Sequence, residues 1–432
     1  MYVRTTYASR QITRSSRPQK IGIAFNMIGN SLALKLLADV MDWDDATATR
    51  EFGWLRLMAS VKYDGYADFA AGAGFLEALV DWMRQFDTSY DRAIAYRFVK
   101  QRLVYISTAE MHRVVEAFIP EVVTPYLRRS VGAECGLHPW EVWAANEPAE
   151  AFKSRLRKCL FVGLSDGSRI DVLRRSNAGR ISQEQIIPMM NVDDAKWESL
   201  GEDLISAPGL DANSRFEDVF LIDDFTASGT TFIRTVEGKT KGKLHKFNKM
   251  VEAARRSLSA KEKVFPISEN YSLHIHHYVS TSQARGTLTE RVGALVKMLE
   301  NRSFRDEVHI TEGLLLSDNL PLGRPKPGLQ AGGAVEASAI GFEPNRIAEN
   351  EIDAQFIALC ERAYDPELFR RLEKHCREAG METMCYGYGG CALPLVLEHN
   401  TPNNSVPLIW SETGSEADPN TRPLFQRRDR HG

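Results

Sequence analysis

From about residue 155 the chain changes to short apolar runs separated by helical or polar stretches, and this alternation restricts the folds open to it. The runs are 159–164, 185–190, 219–222, 271–279 and 307–316. Strands that read as unbroken apolar runs are buried on both faces, and helices between them build a parallel sheet covered on both sides. The run 271–279 alternates, with Tyr271, Leu273, Ile275, His277 and Val279 facing one way and His274 and His276 the other. Metals use a spacing of two on one strand face. No third ligand lies near, so a polar sheet face is expected there.

Residues 40–150 read as helical. Phe75, Leu76, Leu79, Val80, Met83 and Phe86 recur at helical spacing. Ser107 and Glu110 form a capping box, and Met111, Val114, Val115 and Phe118 continue that helix to Pro120. Nothing in this half has catalytic spacing, which leaves packing or docking onto a partner protein. The first 38 residues contain no acid and carry Arg4, Arg10, Arg14, Arg17, Lys20 and Lys35. A transit peptide and a basic arm both fit, and the arm is the reading adopted. The expected organisation is then a basic arm over 1–20, a helical domain over 21–150 and an α/β core over 151–316. A Pro- and Gly-rich linker or mobile loop over 317–345 follows, then a C-terminal extension packing on the core over 346–410 and a disordered tail over 411–432. In the extension, Ile352, Phe356, Leu359, Cys360 and Ala363 share a helix face, and Asp365-Pro366 starts a second helix that Gly380 ends.

Composition excludes several classes. With 54 Lys+Arg against 57 Asp+Glu, the net charge of −3 gives no overall basic field, which disfavours a duplex nucleic-acid partner. Six cysteines in 432 residues make no disulfide scaffold and suit a reducing cytoplasm. The most apolar stretch, 21–38, is broken by Asn26, Asn30, Ser31 and Lys35, so no membrane span is expected.

One segment carries chemistry: Val219-Phe220-Leu221-Ile222-Asp223-Asp224-Phe225-Thr226-Ala227-Ser228-Gly229-Thr230-Thr231. Four apolar residues make a buried strand, two acids follow at its carboxyl end, and a small hydroxyl-rich turn comes next. Phe232, Ile233 and Val236 then suggest a helix. Ligands of open α/β sheets bind at that edge, and a helix N-terminus offers free amides to an anion. Gly229 permits the turn, while Ser228, Thr230 and Thr231 add hydroxyl donors. The acids would repel phosphate, so they suit a sugar diol or a hydrated divalent cation. A phosphorylated sugar held end to end satisfies both halves.

The segment resembles the phosphoribosyl-pyrophosphate (PRPP) fingerprint of type I phosphoribosyltransferases: an apolar strand, two acids, two variable residues and a Thr/Ser-Gly phosphate loop. The resemblance implies that Asp223 and Asp224 hold the ribose hydroxyls and the accompanying Mg²⁺, and that Thr226, Ala227, Ser228, Gly229, Thr230 and Thr231 hold the 5′-phosphate. It further implies a loop for pyrophosphate after an earlier strand. Ser165, Asp166, Gly167, Ser168 and Arg169 fit it by position, with Arg169 able to pair with phosphate oxygens. A plain strand-to-helix turn would look the same. Purine oxo-base members carry an acid at the third residue after the doublet; here that residue is Ala227, so the fingerprint assigns no general base. Acceptor-side candidates are Ser280 and Thr281 at the end of the next strand, and His399, Asn400 and Asn403 in an HNTPNN turn.

The whole chain also resembles phosphoribosyltransferase-like proteins associated with prokaryotic conflict or antiphage systems. That likeness is carried by the helical half, the core and the terminal Tyr386-Gly387-Tyr388-Gly389, Ala392-Leu393-Pro394 and His399 to Trp410. It implies a bacterial cytoplasmic protein with partner subunits. The expectation is transfer of phosphoribosyl to an unknown acceptor with release of pyrophosphate. The alternative is a sensing or partner-binding subunit that keeps the pocket without turnover. Cys385 and Cys391 lack zinc-knuckle spacing, and Gly387, Gly389 and Gly390 are no dinucleotide fingerprint. Residues 239–263 hold nine basic residues against two acids, which a solvated helix face or a nucleic-acid or polyphosphate contact, without the aromatic interleaving that base stacking would want, would both explain.

Overall fold

The structure is a computed structural model that describes residues 19–323, 351–364, 386–414 and 419–427, apart from 68, 70–72, 191, 237, 300 and 301, with isolated residues between 367 and 374. Most of the basic arm, most of the linker, and Asp365, Pro366 and Gly380 lie outside the described residues.

Four helices come first: α1 (Gln19–Val40), α2 (Asp45–Val61), α3 (Phe75–Arg84) and α4 (Ser89–Gln101). A short strand, β1 (Val104–Ile106), leads into α5 (Thr108–Ala117), α6 (Thr124–Cys135) and α7 (Asn146–Arg157). Next come β2 (Cys159–Gly163), α8 (Ile170–Ser176), β3 (Ile186–Pro188), α9 (Asp194–Ile205) and β4 (Phe216–Thr226). A hairpin of β5 (Arg234–Val236) and β6 (Lys239–Lys241) precedes α10 (Lys243–Ala260), β7 (Ile267–Thr281), α11 (Ser282–Leu295) and β8 (Phe304–Leu316). The chain ends with α12 (Glu351–Ala363), β9 (Leu395–Leu397), β10 (Thr413–Gly414) and β11 (Pro419–Thr421). Among the described residues no helix is long and apolar enough to cross a membrane.

The expected parallel sheet is present, with five strands in the order β3-β2-β4-β7-β8. The chain leaves β2 for β3 on one side and then returns to β4 on the other. Chain order therefore reverses between β2 and β4, and the loops leaving their carboxyl ends open a crevice there. Leu160, Val162, Val219, Leu221, Leu273 and Ile275 pack under α9, α10 and α11. Phe161, Phe220 and Tyr278 pack under Met111, Phe118 and Leu127 of the α5–α6 region.

The second packing corrects two expectations. His274 and His276 do not lie on a polar sheet face: both are buried, with His274 stacked on Phe220 at 4.1 Å and His276 against Phe118 at 4.3 Å. Pro120 does not end its helix either. A π-helical turn over Phe118–Val123 absorbs it, and α6 runs on from Thr124, so the helical segment lies across the sheet. The apolar core also does not change over at residue 150. The sheet-facing core begins at Ile106 and takes in α5 to α7, whereas α1 to α4 form a second core with α12 and the chain end. Phe98 stacks on Phe356 there at 3.6 Å.

The expected disordered tail over 411–432 is likewise corrected at its described residues, 411–414 and 419–427. β10 pairs antiparallel with β11, and Leu424 and Phe425 are fully buried. Phe425 meets Tyr63, Tyr66, Phe69, Phe75 and Tyr105. Burying two large apolar side chains is reason enough for the segment around Leu424 and Phe425 to order. Phe425→Ala is expected to cost about 3–5 kcal/mol of stability in denaturant titration, as loss of a buried aromatic ring does.

Burial also sets a pH dependence. It depresses His276 and His277 from 6.5 to about 3, so both are neutral in the folded chain. Protons bind the unfolded chain first, and stability present above pH 6.5 is lost as pH falls from there to about 3. Each histidine contributes a slope of up to about 1.4 kcal/mol per pH unit. His276→Gln should reduce the measured slope by one proton; an unchanged slope would remove the assignment.

Candidate functional site

Strand β4 carries the acid pair. Gly163 at the end of β2 is in register with Ile222, so Asp223 stands one residue beyond that edge, opposite His277 on β7. Asp223 accepts a hydrogen bond from Ser165 Oγ at 2.7 Å, and its second oxygen is ion-paired with Lys243, the first residue of α10. Asp224 lies 2.9 Å from His399 Nε2. His399 Nδ1 is 3.2 Å from the buried carboxylate of Glu398, which also pairs with Arg169. The two adjacent acids thus have separate partners, Lys243 and His399. Burial pushes the Asp223 carboxyl up, Lys243 opposes the rise and Asp224 adds to it. Burial acts on Asp224 too, but the hydrogen bond and charge of His399, with Lys243, hold it below the usual carboxylate range.

The Ser165–Arg169 loop crosses this edge. Ser168 Oγ accepts from Ser165 N at 3.0 Å and donates to the Ile222 carbonyl at 2.9 Å, tying the loop to β4. Gly167 passes so close to Asp224 that an added Cβ would overlap the carboxylate. Arg169, at φ 48°, opens the short α8, and Asp166 is exposed. The loop and the acid pair therefore form one constellation.

The 226–231 turn does not stand open as a cradle. Thr226, Ala227, Ser228 and Thr230 are buried, and Thr231 is exposed. Ser228 and Thr230 hydroxyls are 2.9 Å apart, and Thr230 donates to Tyr388 Oη at 3.3 Å. Gly229 turns at φ 68° against the Ala284 carbonyl of α11. No helix starts at Phe232, contrary to expectation. The β5–β6 hairpin intervenes, and Gly242 returns so near the Phe232 carbonyl that no side chain fits. Leu244 N then donates to that carbonyl at 3.1 Å, so α10 starts beside the place where the expected helix would have begun. Thr235, Val236 and Thr240 suit the extended form of this insertion.

Acceptor-side candidates separate. Ser280 and Thr281 reach the edge, but Thr281 Oγ1 donates to the Ala227 carbonyl at 2.6 Å and caps α11, and Ser280 donates to Thr281. Their hydroxyls hold the backbone. Leu397 and Asn400 exchange backbone hydrogen bonds, which puts Glu398 and His399 at the tip of a tight turn. Asn403 contributes its carbonyl to Tyr388 N at 2.7 Å. That turn is fastened by β9, which pairs parallel with β1, and by Glu398 N bonding to Ile106 O. Sequence reasoning missed Lys243, Glu398 and Tyr388. A lysine directly after the Gly242 turn and an acid next to His399 were the available signals.

A parallel sheet with an acid doublet and two small-residue loops at its reversal point defines a core of the phosphoribosyltransferase type. Residues 79–427 match the PRTase-CE family, a phosphoribosyltransferase-like family, and the chain belongs to it. Comparison with curated proteins and with solved structures gives no match.

The His399–Asp224 contact can be measured directly. His399→Gln and Asp224→Asn should each destabilise the chain, with the double variant losing less than their sum. A coupling of about 0.5–3 kcal/mol is expected for contacting residues, and strict additivity would show that the contact is absent in solution.

Proposed function

We propose that the chain binds PRPP at this edge and transfers its phosphoribosyl group to an acceptor with release of pyrophosphate. The observation that carries the reading is the meeting of Asp223 and Asp224 with the Ser165–Arg169 loop at the reversal point of the sheet. Sugar hydroxyls would donate to Asp224 and Asp223, displacing His399 and Lys243 from them. The amides and hydroxyls of 226–231 would take the 5′-phosphate once Tyr388 releases Thr230. Arg169 would exchange Glu398 for pyrophosphate oxygens, a bidentate partner its guanidinium suits.

A site with two carboxylates at one edge fits Mg²⁺, which is commonly held by one or two carboxylates plus substrate phosphates. Asp223 and Asp224 would hold it, and it would neutralise charge on the departing pyrophosphate. The protein's own share is positioning and electrostatics. Antiphage defence as the setting rests on the whole-chain resemblance alone.

A second reading has its own support. The position of the usual general base is Ala227, buried and hydrogen-bonded through its carbonyl, and the acid pair is engaged by the chain's own Lys243 and His399. A PRPP sensor without turnover would have these features. Pyrophosphate release separates the two: release at a catalytic rate supports transfer, and binding with none supports sensing.

Mg²⁺-PRPP at about 100 times its Kd should add about 2.7 kcal/mol to the stability of the wild-type chain. Asp223→Asn combined with Asp224→Asn should abolish that gain while the circular-dichroism spectrum stays unchanged. Equal stabilisation of the double variant would remove the site assignment.

A further inference from the structure

The basic stretch 239–263 divides in two. Its distal charges are neutralised: Arg256 pairs with Glu252 at 3.1 Å, Lys261 with Asp194 at 2.6 Å, and Lys263 with Glu198. Arg255 meets Glu269 and donates to the carbonyls of Ile267 and Ser268. The proximal part, 239–249, holds five lysines, one histidine and no acid. Lys243 turns in to Asp223, while Lys239, Lys241, Lys246 and Lys249 are exposed and form no ion pair with any described residue. The uncompensated charge is therefore at the site end.

Geometry orders these charges. Lys239 and Lys241 are two apart on β6 and share a face. Lys243, Lys246 and Lys249 recur every three residues on α10 and form one ridge, rising about 4.5 Å at each step. The ridge starts at the acid pair and runs away from it. β6 belongs to the hairpin between the 226–231 turn and α10, so that hairpin supplies part of the basic surface. On a chain of net charge −3, this local concentration is not a by-product of composition.

We propose that Lys239, Lys241, Lys246 and Lys249 form a binding surface for the phosphate backbone of a single-stranded nucleic acid, leading to the acid-pair site. A nucleic-acid strand supplies a row of phosphates to the lysines and presents ring nitrogens and hydroxyls to whatever the site holds. The lysines act as point charges, so the surface reads backbone rather than sequence. The proposal rests on the preceding functional reading only in taking this strand to be the acceptor. Binding itself is independent of it.

The test is fluorescence anisotropy of the full chain with a labelled single-stranded oligonucleotide of about 20 nucleotides, long enough to span several phosphate contacts, over a salt series. Wild type should bind with log affinity falling linearly with log salt. Lys246→Ala with Lys249→Ala should weaken binding at least tenfold and shallow the slope by about 1.4, which is about 0.7 per lost phosphate contact. Lys261→Ala with Lys263→Ala, whose charges are already paired, should leave both unchanged, and both pairs should keep wild-type affinity for Mg²⁺-PRPP. Absence of salt-dependent binding, an equal loss from the Lys261/Lys263 pair, or equal competition by polyglutamate would overturn the proposal. Oligonucleotide binding by a chain that fails to bind PRPP would leave this surface standing and remove the phosphoribosyl reading.

Discussion

Two carboxylates on consecutive residues at the end of a buried strand repel each other, and the low-dielectric surroundings strengthen that repulsion. Much of the site's architecture answers this constraint. Lys243 comes to Asp223 from the first turn of α10, and His399 comes to Asp224 from the far end of the chain. Glu398 balances His399 and Arg169 in turn, and Arg169 belongs to the loop that crosses the same edge. The site is a closed set of paired polar and charged groups. A ligand that brings its own charges can exchange partners with it one for one.

The added parts of the chain complete this set and cannot be treated as appendages. Val104 and Leu395, the first paired positions of β1 and β9, have 290 residues between them, yet the two strands run side by side. Ala67 N and Ile106 O both bond to the Glu398 backbone, and Tyr66 Oη is 3.0 Å from Thr401 Oγ1. The connection between α2 and α3, together with β1, therefore holds the turn that carries His399.

Much of the core was legible in the sequence, because the apolar runs of the inner strands had to bury both faces under the helices between them, while the edge strand β8 stays partly exposed. The five runs became the five sheet strands, and Asp223 and Asp224 fell at the carboxyl edge as the pattern required. Errors arose where local pattern met a tertiary alternative. Pro120 stops an isolated helix, but packing on Phe161 and Phe220 sustains a π-helical turn through it. His274 and His276 look polar in sequence, and aromatic cover makes them core. Phe425 looks like part of a polar tail until the aromatic pocket beneath it is known.

By itself the sequence determined the elements whose cause is local: a strand's burial, the acid doublet after it, the glycine of the turn, the capping box at Ser107. Only the tertiary structure decided which charges face which, because electrostatic partners are chosen by distance in space and not along the chain. Lys243 and His399 are 20 and 175 residues from the acids they hold. No periodicity links such positions, so their pairing became visible only when β1 met β9 and α10 closed against Phe232.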